Sequence, residues 1–78
     1  MTAEEIARRI EAALPGARAR VEGDEAHFSA EVSAPAFAGR TRIEQHKMIY
    51  DLFRDEMAAQ TIHALALRTR PTNPETES

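Results

Sequence analysis

Cysteine is missing from the 78-residue sequence. That excludes a disulfide framework and every thiolate-based metal or nucleophile site. Any metal ligation falls to three histidines and the carboxylates. A basic excess is missing too, the formal charge being −3. Strong nonspecific nucleic-acid binders usually carry a basic surplus or stripe. No apolar run approaches the roughly 20 residues that a membrane span needs. The N-terminus carries Glu4 and Glu5 and no apolar core segment, unlike a secretory signal. A soluble cytoplasmic protein without membrane association is therefore expected. There is no internal repeat. Gly16, Gly23 and Gly39 lie too far apart to form a phosphate-cradling loop. Ser29 and Ser33 have no nucleophile motif around them, and no spaced acid–base pair appears, so the chain is not expected to be an enzyme.

What is present fits a single small domain with a modest core. Thr2 and Glu5 have the spacing of a capping box, and Ile6, Ile10, Ala13 and Leu14 recur at helical spacing. Pro15-Gly16 ends that helix. A short strand is expected at residues 17–21, a turn around Gly23-Asp24, and a second strand at residues 27–33. Phe28, Ala30 and Val32 fall on one face of the second strand, and His27, Ser29, Glu31 and Ser33 on the other. Pro35 breaks the strand, and Gly39 marks a tight turn. Thr41 and Glu44 repeat the capping-box spacing. They open a helix expected to run to about Ala59, with Ile43, Ile49, Leu52, Phe53 and Met57 on its apolar side. Residues 61–69 read as a last strand, because they are few and Pro71 follows. The segment 71–78 has two prolines, two acids and no large apolar residue, and is expected to be a disordered tail.

The predicted order is α-β-β-α-β, an α+β class. The first two strands pair antiparallel, and a right-handed crossover sets the third parallel to the second. Both helices cover one face of a three-stranded mixed sheet. His27 opens the second strand, and His63 lies near the start of the third. Parallel neighbours lie about 4.8 Å apart, so two histidines distant in sequence can meet at one sheet edge. Side-chain parity leaves their directions open. If Leu65 and Leu67 face the helices, His63 turns inward with them. If Ile62, Ala64 and Ala66 do, both histidines point the same way.

Residues 37–50 read Phe-Ala-Gly-Arg-Thr-Arg-Ile-Glu-Gln-His-Lys-Met-Ile-Tyr. This resembles the signature segment of the BolA family, F-x-G followed by R/Q-H-R/K-x-I/V-Y/N. Residues 62–67, Ile-His-Ala-Leu-Ala-Leu, resemble the family's I-H-A-L-x-L strand, and His27-Phe28 its S/T-H-F. The short loop between the first strands is similar to that of short-looped, YrbA-like bacterial members. The resemblance covers roughly residues 2–70 and implies a class II KH-like fold. It implies pairing with a monothiol glutaredoxin, either as an apo complex or around a shared 2Fe–2S cluster. The glutaredoxin then gives its cysteine and a glutathione thiol, and this chain gives His63. The family's second ligand, a histidine or cysteine, usually comes from the loop between the first two strands. The histidine nearest that loop is His27, at its very end. The tail departs from short-looped relatives in lacking P-x-E-W.

The remaining candidates read more plainly. His46 is expected to be structural, bonding a backbone group or packing between elements. Asp24 and Glu25 belong to a solvated turn. Tyr50 is expected to be half-buried with its hydroxyl wet. Arg40, Arg42, Lys47 and Arg54 form a basic cluster around the second helix. It suits a docking surface for glutaredoxin and glutathione or for DNA, or equally a solvated face balanced by Glu44, Asp51 and Asp55. The competing function is a KH-like nucleic-acid-binding transcriptional regulator. A fold alone does not fix that function, and the G-x-x-G loop with which KH modules grip RNA is absent.

Overall fold

In the computed structural model, which describes residues 1–72, Thr2 caps a first helix, α1, at Ala3–Ala13. Strands β1 (Arg18–Asp24) and β2 (His27–Ala34) follow, then a 3-10 turn at Pro35–Phe37. Helices α2 (Arg42–Leu52) and α3 (Arg54–Ala58) lead to strand β3 (Ala64–Pro71). The sheet order is β1-β2-β3, antiparallel then parallel, as expected. Phe28, Ala30 and Val32 point into the core with Ile6, Ile10, Phe37, Ile49, Phe53 and Ile62. Ser29 and Glu31 stay outside, so one sheet face is covered and the other is open.

The two capping boxes differ. At Thr2 the hydroxyl accepts from the Glu5 amide at 3.1 Å, but the reciprocal bond does not form. At Thr41 both form: the hydroxyl accepts from the Glu44 amide at 3.1 Å, and Glu44 Oε1 accepts from the Thr41 amide at 2.8 Å. The Thr41 amide, and then its hydroxyl, hold the Glu44 carboxyl below the usual glutamate range. Because the folded state prefers the ionised form, this contribution is complete above the ordinary glutamate range. It is lost as pH falls through the lower folded value. Glu44→Gln keeps a capping side chain and removes the titration. Thermal melts from about pH 6 to pH 3 should show a shallower acid loss in this variant than in the wild type.

The second helix departs from expectation in three ways. It does not run unbroken to Ala59. At Phe53 (φ −119°, ψ 22°) the amide steps back to the Tyr50 carbonyl, and α3 starts afresh. The Phe53 ring is fully buried. The broken ladder leaves the Leu52 carbonyl open, and Arg9 Nη1 of α1 donates to it at 3.3 Å. The same guanidinium lies 5.1 Å from the Phe53 ring centroid and 2.8 Å from Glu56. Arg9 holds the Glu56 carboxyl below its usual range.

Second, Ile43 is not on the buried side: it is 81% exposed. Third, Gln45 is buried in its place. Its Nε2 donates to the carbonyls of Phe37 (3.2 Å) and Arg40 (3.0 Å), and its Oε1 accepts from Thr69 Oγ1 at 2.7 Å. Buried polar groups must be paired, and Gln45 pairs groups on both the F-x-G turn and β3. Gln45→Ala removes the side-chain partner of the Arg40 carbonyl and of the Thr69 hydroxyl, while the Phe37 carbonyl keeps the Arg40 amide at 3.2 Å, and should cost about 2 kcal/mol. Urea unfolding should show a lower midpoint at unchanged slope; an unmoved midpoint would contradict this role.

The strand ends shift as well. β1 runs on to Asp24, leaving only Glu25 and Ala26 between the paired residues Asp24 and His27. Residues 61–63 are a bend, so β3 begins at Ala64, not Thr61. Pro71 closes the strand rather than opening a tail, and the Thr72 amide donates to the Ala34 carbonyl. The remainder of the expected tail lies outside the described residues.

Candidate metal centre

The parallel register aligns His27 with Ala64, which places His63 one step before the start of β3. A single carbonyl secures this junction. Ala26, the residue before His27, accepts from the amides of His63 (2.7 Å) and Ala64 (3.0 Å). The two imidazole centroids stand 5.2 Å apart with their planes tilted by 48°. Both residues are exposed. No hydrogen bond among the described residues engages either ring.

Neither of the two parities holds through this segment. Ile62 and Leu65 are both buried, while His63 and Ala64 between them are both exposed. The bend at 61–63, entered through Gln60 at φ +60°, breaks the alternation. The core therefore gains Ile62 and Leu65 while His63 turns out beside His27. Tyr50 braces the same strand from α2. It is half-buried as expected, but its hydroxyl is not simply wet: it donates to the Leu65 carbonyl at 2.9 Å. That carbonyl belongs to an edge strand, whose outer backbone groups have no ladder partner.

The other candidates separate from this pair. His46 is half-buried in α2, and its Nε2 is buried with no partner among the described residues. That nitrogen makes no backbone bond. Asp24 and Glu25 stay exposed in the hairpin, Glu25 at φ +54°. Among the described residues, no group of three or more histidine and carboxylate side chains is placed to hold a metal ion. The pair offers at most two ligands from this chain, so a metal held there needs the others from outside. Two unengaged imidazoles at an open edge suit such a shared site.

The basic cluster is partly neutralised. Lys47 and Arg54 share Asp51 at 2.9 and 3.1 Å, and together hold its carboxyl below the usual aspartate range, Lys47 foremost. Arg40 Nε donates to the Ala36 carbonyl at 3.3 Å, and Arg42 makes no ion pair among the described residues. A second basic group went unremarked in the sequence. Arg18, Arg20, Arg68 and Arg70 all stand on the open sheet face. The signal was the Arg-x-Arg spacing in β1 and β3, which period-2 geometry turns to one side.

No helix among the described residues is long and apolar enough to cross a membrane. The sequence matches the BolA-like protein family over residues 5–74. It is 35% identical over 52 residues to the UV-induced protein uvi31 of Schizosaccharomyces pombe, covering 67% of this chain and 50% of that protein. It is 38% identical over 47 residues to the DNA-binding transcriptional regulator BolA of Escherichia coli, covering 60% and 44%. The chain thus spans about half the length of these relatives, or less. Among solved structures, a bolA protein homologue from Coxiella burnetii superposes with a TM-score of 0.78 at 37% identity. That match covers 100% of this chain and 99% of the other. The BolA domain of SufE1 from Arabidopsis thaliana superposes with a TM-score of 0.78 at 26% identity, covering 95% and 93%. With the α-β-β-α-β order, the F-x-G turn and the I-H-A-L segment leading into β3 in place, the chain belongs to the BolA-like family.

Proposed function

We propose that this protein is a non-catalytic adaptor that pairs with a monothiol glutaredoxin and supplies His63, with His27 beside it, to a shared 2Fe–2S cluster. The observation that carries the reading is the pair of exposed, unengaged imidazoles 5.2 Å apart at one sheet edge. Too few ligands for a metal of its own, on an accessible edge, suit a site completed by a partner's thiols. Imidazole in place of thiolate leaves such a centre less negative and raises its potential, as in Rieske centres. Ligation needs the neutral ring, so acidification loosens the cluster. The work proposed for the protein is iron–sulfur handling or iron regulation in the cytoplasm.

The test is anaerobic titration into cluster-loaded monothiol glutaredoxin, followed by visible circular dichroism, with His63→Ala and His27→Ala in parallel. A second reading, DNA binding, is favoured by the name of the Escherichia coli relative. The net charge and the missing G-x-x-G loop weigh against it. Were it right, affinity would fall steeply with salt.

A further inference from the structure

The register of the sheet arranges its open face as a grid. One row reads Arg18, Ser33, Arg70 across β1, β2 and β3, and the next reads Arg20, Glu31, Arg68. Two columns of arginine therefore flank a central strand. Adjacent strands are about 4.8 Å apart, so the columns stand about 10 Å apart, with about 7 Å between arginines in a column. Between them lies an open cleft of ≈ 710 Å³, floored by Ser33 and Glu31, with Glu11 at its rim.

All four arginines are exposed, and none makes an ion pair among the described residues. Within the cleft the four guanidinium charges meet two carboxylates, Glu11 and Glu31, with Glu22 next beyond Arg20 on the same face of β1, and Glu11 Oε2 already accepts from the Ala19 amide at 3.0 Å. In a chain of net charge −3 this is a concentration of the minority sign. Nine of the ten basic residues in the chain are arginine, the side chain whose planar fork pairs bidentately with carboxylate or phosphate.

We propose that the arginine columns at Arg18, Arg20, Arg68 and Arg70 dock an acidic segment of a partner protein, with its carboxylates set on either side of Glu31. Three observations favour carboxylates on a peptide over a nucleic-acid strand. Single strands are held by bases stacked on aromatic rings as well as by charge. Between the arginine columns there is no such ring: Phe28, Phe37 and Phe53 are buried in the core, Tyr50 lies on α2, and the imidazoles of His27 and His63 stand at the far end of the face. Glu31 sits between the columns and repels a continuous phosphate chain, whereas discrete side chains can straddle it. The net charge of −3 also repels a long polyanion more strongly than a short segment with a few carboxylates. Bidentate guanidinium–carboxylate bonds then supply orientation as well as attraction. The site needs neither His27 nor His63. It lies on the same sheet face, with Glu31 four residues along β2 from His27, about 13 Å away.

The test is fluorescence anisotropy of a labelled ten-residue peptide alternating glutamate and glycine, at low salt, against the full chain. Saturation in the range of about 10–100 µM is expected, weakening as salt rises. Arg20→Ala/Arg68→Ala should weaken it at least about tenfold. Arg20→Lys/Arg68→Lys, which keeps the charge but not the fork, should give a smaller loss. Glu31→Gln should tighten binding, while His63→Ala leaves it unchanged. Amide shifts in the bound state should concentrate at residues 18–20, 31–33 and 68–70. Several results would overturn the proposal: no saturation by about 1 mM peptide, equal loss in the control Arg8→Ala/Arg54→Ala, or tighter binding of a ten-nucleotide single strand to the same arginines.

Discussion

Cluster-loaded monothiol glutaredoxin is expected to keep its own visible circular dichroism when mixed with His63→Ala protein, whereas the wild type changes it. The effect should be complete, because removing one imidazole leaves this chain a single histidine at the edge. It should also be clean. His63 is exposed, and what anchors its segment is its amide on the Ala26 carbonyl, a bond that alanine retains. Exposed side chains away from packing or hydrogen bonds usually change stability by less than about 0.5 kcal/mol, so the variant should melt like the wild type. A lost spectrum with an unmoved melt then reports ligation rather than folding. His27→Ala separates two arrangements. Equal loss makes both rings ligands, whereas a spectrum that persists leaves His27 as a neighbour that shapes the edge. If His63→Ala still shifts the spectrum as the wild type does, the shared-cluster reading is wrong.

The histidine pair was legible in the sequence for a topological reason. Capping residues at Thr2 and Thr41, the breaks at Pro15-Gly16 and Pro35, and alternation at residues 27–32 fix the order of elements. A right-handed crossover then makes β2 and β3 parallel neighbours, so the residues that open them share an edge. The direction of His63 was not legible. It depends on a three-residue bend after a left-handed Gln60, and alternation carries no information about where a strand stops being a strand.

The exchange of Ile43 for Gln45 has a similar origin. Periodicity counts apolar residues but not stranded carbonyls. At this end of α2 the carbonyls of Phe37 and Arg40 and the hydroxyl of Thr69 converge on one buried position, and Gln45 bonds all three while Ile43 faces solvent. The break at Phe53 was hidden because Ile49, Phe53 and Met57 keep the spacing of one continuous helix. Only the Arg9 contacts show why the broken ladder is tolerated. The resemblance to the BolA family marked Phe37, Gly39 and His63 without giving these reasons. Core packing supplies them for Phe37, and the unengaged edge supplies one for His63.

The tight hairpin beneath His27 carries the other large prediction. Gly23 lies within β1 at φ +126°, opposite Phe28. A Cβ placed there would meet the His27 carbonyl oxygen at 2.2 Å and the Phe28 Cα at 2.9 Å. Both are backbone atoms of the paired strand, so no side chain can swing aside to make room. Gly23→Ala therefore combines a backbone conformation that L-residues avoid with a steric overlap, each costing about 1–3 kcal/mol. A loss of about 3 kcal/mol or more is expected, against a total of about 4–12 kcal/mol for a chain of this length. Gly39→Ala is the matched control. Gly39 also has positive φ, at +76°, but nothing lies within 4 Å of its added Cβ, so its cost should be about 1–2 kcal/mol. Urea unfolding of the two variants measures the difference. The functional consequence is local, because the first atom the new methyl strikes belongs to His27. In Gly23→Ala protein that remains folded at low temperature, amide shifts should centre on residues 23–28 and on His63 and Ala64, whose amides share the Ala26 carbonyl. The two imidazoles should then lose their fixed spacing, and the cluster spectrum should weaken even though both histidines remain. Equal stability for Gly23→Ala and Gly39→Ala would show that the hairpin can open at no cost, and that His27 is not held in place by Gly23.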